Sequence, residues 1–434
     1  MNRRNATTAK LIRSTASLAI AGLLTFLLAV GLGGLNPRSA QAAGESCFAT
    51  IDGATVYSSA DASAVQSAVN AASSGDTVKV AGTCTGVQTV SSETQTVHIS
   101  KQITLIGGYA AGSWNATPDP VANPTILDAN SSGRVAFVTG SGNAILQNLF
   151  LRNGSSGLAG GAIFQSRPVT LDTSQISNST APAGGAIYSN NSALTITHSS
   201  LISNTATSNA GGAIYNGDST ISVEHSTFSN NSAATEGGAI FANTNPVTIR
   251  YSTFSNNSAG AGGGAIKGNS TLSLAYSIVA NTTTGGDCVE FGAGIVDGGY
   301  NLIEDGSCID AATSQSGDPA LGALADNPST GSGQVAATLT HALLSGSPAR
   351  GAVPFGFGGC GVVDTTDQRG AARPSGSGCD IGAVEVQNAA PIAVNDSYTP
   401  TEDTPFTAAS PGVLGNDSDS DGDTLYSSLA HETQ

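Results

Sequence analysis

The stretch that decides the fold is Phe228-Ser-Asn-Asn-Ser-Ala-Ala-Thr-Glu-Gly-Gly-Ala-Ile-Phe241, because its parts recur up and down the chain. Gly-Gly-Ala-Ile begins at Gly160, Gly184, Gly211, Gly237 and Gly263, at spacings of 24, 27, 26 and 26. An asparagine column runs beside it at Asn153, Asn178, Asn204, Asn230, Asn256 and Asn281. An apolar residue stands two places before each asparagine: Leu151, Ile176, Ile202, Phe228, Phe254 and Val279. A period of about 25 residues repeated this often is the mark of a solenoid. Val169-Thr-Leu171, Leu194-Thr-Ile196, Ile221-Ser-Val223, Val247-Thr-Ile249 and Leu272-Ser-Leu274 alternate apolar with hydroxyl residues. That alternation is a strand with one buried face, and no segment carries the 3.6 period of a helical repeat. The reading is therefore all-β, a right-handed parallel β-helix with coils stacked about 4.8 Å apart. Glycine serves corners that need positive φ, and the asparagine column reads as a structural ladder bonding coil to coil.

The flanks extend this architecture. Asp61 to Ala72 places Val65, Val69 and Ala72 on one side of a helix that would cap the open apolar end. Ile103-Thr-Leu-Ile106 and Ala144-Ile-Leu146 read as earlier, less regular coils. The regular repeats span about residues 150–285, within a β-helix region of 43–386, and the period decays over 285–386. Arg3, Arg4, Lys10 and Arg13, the apolar run Leu18 to Leu35, and Ala40-Gln41-Ala42 read as an export signal over residues 1–42. An uncleaved membrane anchor is the alternative. Removal takes five bases and no acids, leaving a charge of −21 where the whole chain carries −16. Such an acidic chain is not built for nucleic acid or anionic lipid, and no second apolar run of spanning length follows. Six cysteines in an exported chain point to disulfides, with Cys47–Cys84, Cys288–Cys308 and Cys360–Cys379 as the local pairs. A zinc site would want Cys-x-x-Cys spacing and nearby histidine, and neither is present.

Several motifs resemble known families. Gly-Gly-Ala-Ile followed by Phe164, Tyr188, Tyr215 or Phe241, together with Phe228-Ser-Asn and Phe254-Ser-Asn, resembles the repeat of chlamydial polymorphic outer membrane proteins. Gly107-Gly-Tyr-Ala-Ala-Gly-Ser-Trp114, Asp367-Gln-Arg-Gly-Ala-Ala-Arg-Pro374 and Cys379-Asp-Ile-Gly-Ala-Val-Glu385 resemble bacterial choice-of-anchor Q proteins. The resemblance covers about residues 45–386 and implies a pectin-lyase-like β-helix displayed outside the cell. Pro391-Ile-Ala-Val-Asn-Asp396, Thr401-Glu-Asp-Thr404 and Gly412-Val-Leu-Gly-Asn-Asp417 are similar to the start of a cadherin-like or bacterial immunoglobulin-like domain. Residues 387–434 are thus a linker and an incomplete sandwich-like segment, since such a domain needs about 100 residues.

Two constellations bear on chemistry. Asp417, Asp419, Asp421 and Asp423 alternate around Gly422 in the manner of a calcium loop, although Ser428 stands where an EF-hand has its bidentate Glu. Calcium is the one cofactor this sequence implies, and a solvated acidic linker is the competing reading. On the solenoid, the position ending each inner strand holds Asp172, Thr197, Glu224, Arg250 and Ala275; the next holds Thr173, His198, His225, Tyr251 and Tyr276. Asp172 and Glu224 would lie two coils apart, about 9.6 Å, near the upper spacing for an inverting pair of carboxylates. His198 and His225 between them complete a candidate catalytic set. The competing reading pairs Glu224 with Arg250 across adjacent strands and stacks the flat rings. Two-histidine metal binding lacks an aligned third ligand beyond Glu224. The expectation is a monomeric, non-enzymatic adhesin or structural element of a bacterial surface, meeting an extracellular glycan or surface protein. The alternative is a polysaccharide-cleaving lyase or glycoside hydrolase.

Overall fold

The computed structural model describes residues 46–90, 92–290, 294–328, 338–387, 391–399, 401, 403–418 and 425–427. The expected export signal lies outside them. The described chain is nearly all β, a parallel solenoid of about 9 turns. Each regular coil makes three main strands. Face 1 comprises Val169–Asp172, Leu194–Thr197, Ile221–Glu224, Val247–Arg250 and Leu272–Ala275. Face 2 comprises Gln175–Ser177, Ser200–Ile202, Thr227–Ser229, Thr253–Ser255 and Ile278–Ala280. Face 3 comprises Ile163–Gln165, Ile187–Asn190, Ile214–Gly217, Ile240–Ala242 and Ile266–Gly268. All pair parallel and in register, so identical positions form columns along the axis. The less regular strands Ile103–Ile106 and Ala144–Gln147 join face 1, as the sequence implied.

Alternation decides what is inside. On face 1 Val169 and Leu171 point inward and are buried, while Thr170 and Asp172 are only half-buried. Repeated over the coils, this gives one continuous core that runs from the N-terminal cap to Ile303. At the N-terminal end the helix Ser63–Ala71 lays Ala64, Val65, Ala68 and Val69 on that core. Ala62 is the N-cap, and Asp61 just before it accepts from the amide of Ser63 through Oδ1 (2.9 Å). Gln66 finishes the cap: its amide accepts from the backbone of His98 (2.7 Å) and donates back to it (3.1 Å), so a side chain takes the place of a missing strand. The disulfide Cys47–Cys84 ties this end together.

The Gly-Gly-Ala-Ile corner needs both glycines for different reasons. Gly237 sits at φ 61°, where a side chain is strained. Gly238 faces the next coil, and a Cβ there would collide with the carbonyl oxygen of Gly264. The coils can stack this closely only because neither atom exists.

The asparagine column requires a correction. It is two columns, one residue apart. Asn153, Asn178, Ser203, Asn230, Asn256 and Asn281 all adopt positive φ of 54–58° and turn the chain after face 2. The next position carries the buried ladder Asn204, Asn231 and Asn257, fully enclosed. Asn204 and Ile202 fall one residue beyond the positions the spacing assigns them: the inward partner of Ile176 is Leu201. The cause is that this turn is reached after 25 residues and the following one after 27, which a search on asparagine alone averages to 26 and 26.

After the coil ending at Leu302–Ile303 the regular period stops. Residues 338–387 then return along the solenoid as a strap laid on the outer side of face 2. Its disulfide Cys360–Cys379 is formed. The third expected disulfide is not: Cys288 and Cys308 are free thiols.

Candidate functional site: the ring column and its strap

The residue after each face 1 strand turns the chain at positive φ: Thr173, His198, His225, Tyr251 and Tyr276. Parallel register then stacks their rings. His198 and His225 lie 5.4 Å apart, His225 and Tyr251 5.4 Å, and Tyr251 and Tyr276 4.8 Å, all close to parallel. Tyr300 and Phe357 continue the column.

The strap covers this column and the adjoining face 2. Asp364 accepts from His225 Nε2 (3.2 Å) and from Arg250 (3.2 Å), and Arg250 also donates to the carbonyl of Gly358. Thr227 donates to Gln368 (2.6 Å), Ser229 meets His341 (3.0 Å), and the amide of Ala383 donates to Thr253 (3.0 Å). The Arg373 guanidinium lies 4.6 Å from the Tyr251 ring centre. Tyr251, Ile278, Ala280 and Leu302 form a second apolar core with Leu343, Val353 and Ile381 of the strap. The burial of face 2 shows the extent of the cover. Gln175, on an earlier coil, is half-buried, whereas from Ser200 onward both sides of each strand are buried.

The Asp367–Pro374 and Cys379–Glu385 motifs are the frame of this strap. Asp367 takes Arg369 (2.6 Å) and the amides of Arg369, Ala371 and Glu385. Glu385 takes Arg373 (3.0 Å) and the amides of Ser375 and Asp380. These are enclosed ion pairs whose remaining lone pairs are met by backbone, the condition under which burying charge is tolerated. Burial pushes the Glu385 carboxyl up to about 7 against the pull of Arg373. The turn from Val353 to Cys360 presents Phe355 and Phe357 to solvent, and the loop closed by the disulfide adds Val362 and Val363, each 57–79% exposed.

Against this geometry the four candidate catalytic residues separate. Asp172 and Glu224 do stand two rungs apart with Thr197 between them. Asp172 accepts from Thr197 (2.9 Å) and Gln147 (3.0 Å) and meets His198 Nδ1 at 3.4 Å. Burial works to raise its carboxyl, but the bonds from His198 and Thr197 outweigh it and leave it below the usual value. His225 turns away from both carboxylates to Asp364. It is 5% exposed, and burial holds it down to about 4 despite that carboxylate. The expected Glu224–Arg250 pairing is replaced: their backbones pair, but the Arg250 guanidinium reaches past Glu224 to Asp364. Asp364, Gln368, Arg373 and His341 escaped sequence reasoning, because nothing in a local pattern links His225 to a residue 139 positions away.

No group of three or more metal-ligating side chains gathers among the described residues. Of the calcium candidates only Asp417 is described, and it accepts from the amide of Val394 (2.7 Å); Asp419, Asp421 and Asp423 lie outside the described residues. No helix among those residues is long and apolar enough to cross a membrane.

Face 1 stays half-open beside the strap. It carries an in-register hydroxyl column of Thr170, Thr195, Ser222, Thr248 and Ser273, all half-buried. Face 3 carries Phe137, Phe164, Tyr188, Tyr215 and Phe241 with ring centres 5.1–5.7 Å apart; the first four are half-buried, and from Phe241 onward both sides of the strand are buried.

The Chlamydia polymorphic membrane protein repeat matches residues 225–243 and 251–269, and a bacterial Ig domain matches residues 388–434. No curated protein and no solved structure matches the chain.

Proposed function

We propose that the chain is a non-enzymatic, adhesin-like element of a bacterial surface, exported by residues 1–42, whose solenoid presents face 1 to an extracellular glycan or surface protein. The observation that carries this reading is the pair of matched repeats in their structural setting. Each runs from a strap-covered face 2 strand, through the Gly-Gly corner, to a buried face 3 strand. The repeat thus supplies the enclosed part of each coil, and the face 1 strand between the two matches, Val247–Arg250, keeps alternate residues half-exposed, the arrangement of a presenting scaffold. A cleaving groove is ordinarily framed by loops that interrupt the repeat, and here the coils between 153 and 281 keep their length.

The test is a screen of the full chain against plant, algal and bacterial polysaccharides and against host-surface proteins, following both binding and released sugar ends. Binding without cleavage is the expected result. Cleavage that disappears in Glu224→Gln or Asp172→Asn would replace the proposal with a polysaccharide-cleaving enzyme. Calcium at Asp417–Asp423 enters as a junction at the Ig-like segment, and a melting temperature unmoved by chelator would remove it.

A further inference from the structure

The three cysteine pairs occupy different settings. Cys47, Cys84, Cys360 and Cys379 are all fully buried, and both their disulfides are closed. The third pair sits at the C-terminal mouth of the solenoid. Cys288 begins the last strand of face 3, Cys288–Glu290, paired with Ile266–Gly268 and 4% exposed. Cys308 belongs to the loop that follows Leu302–Ile303, where it and Ile309 lie on the end of the main core. Asp287 and Asp305 clamp loop to strand by a reciprocal exchange, each amide donating to the other's carboxylate (2.8 and 3.0 Å). The Cys288 amide adds a bond to Ser307 Oγ (3.0 Å). These bonds hold the loop that carries Cys308 against the start of the Cys288 strand. Cys308 alone of the six cysteines is partly exposed, and it adopts φ 57°, a conformation unusual for a residue with a side chain.

We propose that Cys288 and Cys308 form a thiol–disulfide exchange site, a redox latch that fastens the loop over the C-terminal mouth of the solenoid. Its co-substrate is a disulfide, small or carried on a protein. The Cys308 thiolate attacks one sulfur of that disulfide, and the other sulfur leaves as a thiol after taking a proton. Cys288 then loses its proton to solvent and attacks Cys308 Sγ, expelling the second thiol. Two protein thiols and one disulfide thereby become one protein disulfide and two thiols. Exposure assigns the order: Cys308 and burial together hold the Cys288 thiol protonated, so Cys308 meets the oxidant first. Reductant likewise reaches this bond before the two enclosed ones.

The test uses the full chain and oxidised glutathione. Two titratable thiols before treatment and none after, with a Cys288–Cys308 peptide in non-reducing peptide mass mapping, is the expected result. The new bond should reopen at a dithiothreitol concentration at least tenfold below that needed for the other two. Amide exchange across 295–303 should slow several-fold in the latched form. A stable glutathione adduct on Cys308 with no internal bond would overturn the proposal. So would a bond that resists reductant as long as the buried pair does, because that is a permanent staple. Cys308→Ser, which leaves Cys288 enclosed, should abolish reaction with glutathione; reaction of Cys288 at the wild-type rate would show that the assigned order is wrong.

Discussion

Asn230 and Asn231 are adjacent, identical in chemistry and opposite in role, so replacing each in turn tests the register of the solenoid. Asn231 is fully buried, and Asn230 is exposed. Asn231 Oδ1 accepts from both the amide and the side chain of Asn204 (3.0 Å each), and its Nδ2 donates to Leu201 O (2.9 Å) and Asn257 Oδ1 (3.0 Å). Asn231→Ala removes four bonds and leaves the Asn204 amide without a partner inside the core. An orphaned buried donor costs about 1–3 kcal/mol and each of the three further lost bonds about 1 kcal/mol, so the total comes to about 4–6 kcal/mol. Asn230→Gly removes one 3.2 Å contact to Ser229 Oγ and keeps a φ of 58° that glycine adopts freely. Its cost should stay within about 0.5 kcal/mol. Urea unfolding of the full chain followed by far-ultraviolet circular dichroism measures both. Amide exchange around 201–206 locates the damage, because a solenoid opens locally before it opens globally. Equal costs for the two variants, or a cost below about 1 kcal/mol for Asn231→Ala, would refute the two-column assignment.

Gly238→Ala should destabilise by about 3 kcal/mol or more, read as a lowered melting temperature, since the obstruction is backbone of the next coil that cannot turn aside. Tyr251→Phe should be neutral or stabilising by about 1 kcal/mol in urea unfolding, because the hydroxyl is buried without a hydrogen-bond partner among the described residues. His225 lies below its ordinary 6.5, at about 4, so its contribution is complete above pH 6.5 and is lost as pH falls towards 4. That shift is worth about 3 kcal/mol, and the stability gap between wild type and His225→Gln should narrow by that amount from pH 7 to pH 4. Glu385, raised from 4.5 to about 7, works in the opposite sense: its contribution is complete below pH 4.5 and is lost as pH rises through 7. Glu385→Gln should therefore compare better with wild type at pH 8 than at pH 4.

The limits of what the sequence told can be placed residue by residue. Strand alternation in Val169-Thr-Leu171 and its counterparts is a local signal, and it located every face 1 strand because the buried side repeats every second residue. The capping helix at Ser63–Ala71 was legible for the same reason, with Val65 and Val69 one turn apart. Asn204 and Ile202 were misplaced because a turn column tolerates Ser203 as well as asparagine, so chemical identity stopped marking geometric position. The ring column was legible too, since parallel register turns a repeated sequence position into a physical stack.

What the column does was not legible, because that depends on the strap. His225 looked like half of a histidine pair between two carboxylates. The partner that actually bonds it is Asp364, and the contact is visible only once the chain has folded back along the solenoid. The strap also explains a compositional oddity. Charge makes up 11% of the chain, yet Asp367, Arg369, Arg373, Asp380 and Glu385 all fall within nineteen residues of one another and all are buried. So dense a set of charges can be enclosed only when it is paired and hydrogen-bonded. Its carboxylates are engaged by backbone amides and by Arg369 and Arg373, which makes it the internal frame of a lid over face 2. The outward side of face 1 is left to a column of half-buried hydroxyls, and the proposed binding rests on that column, because repeated weak contacts gain strength by acting together.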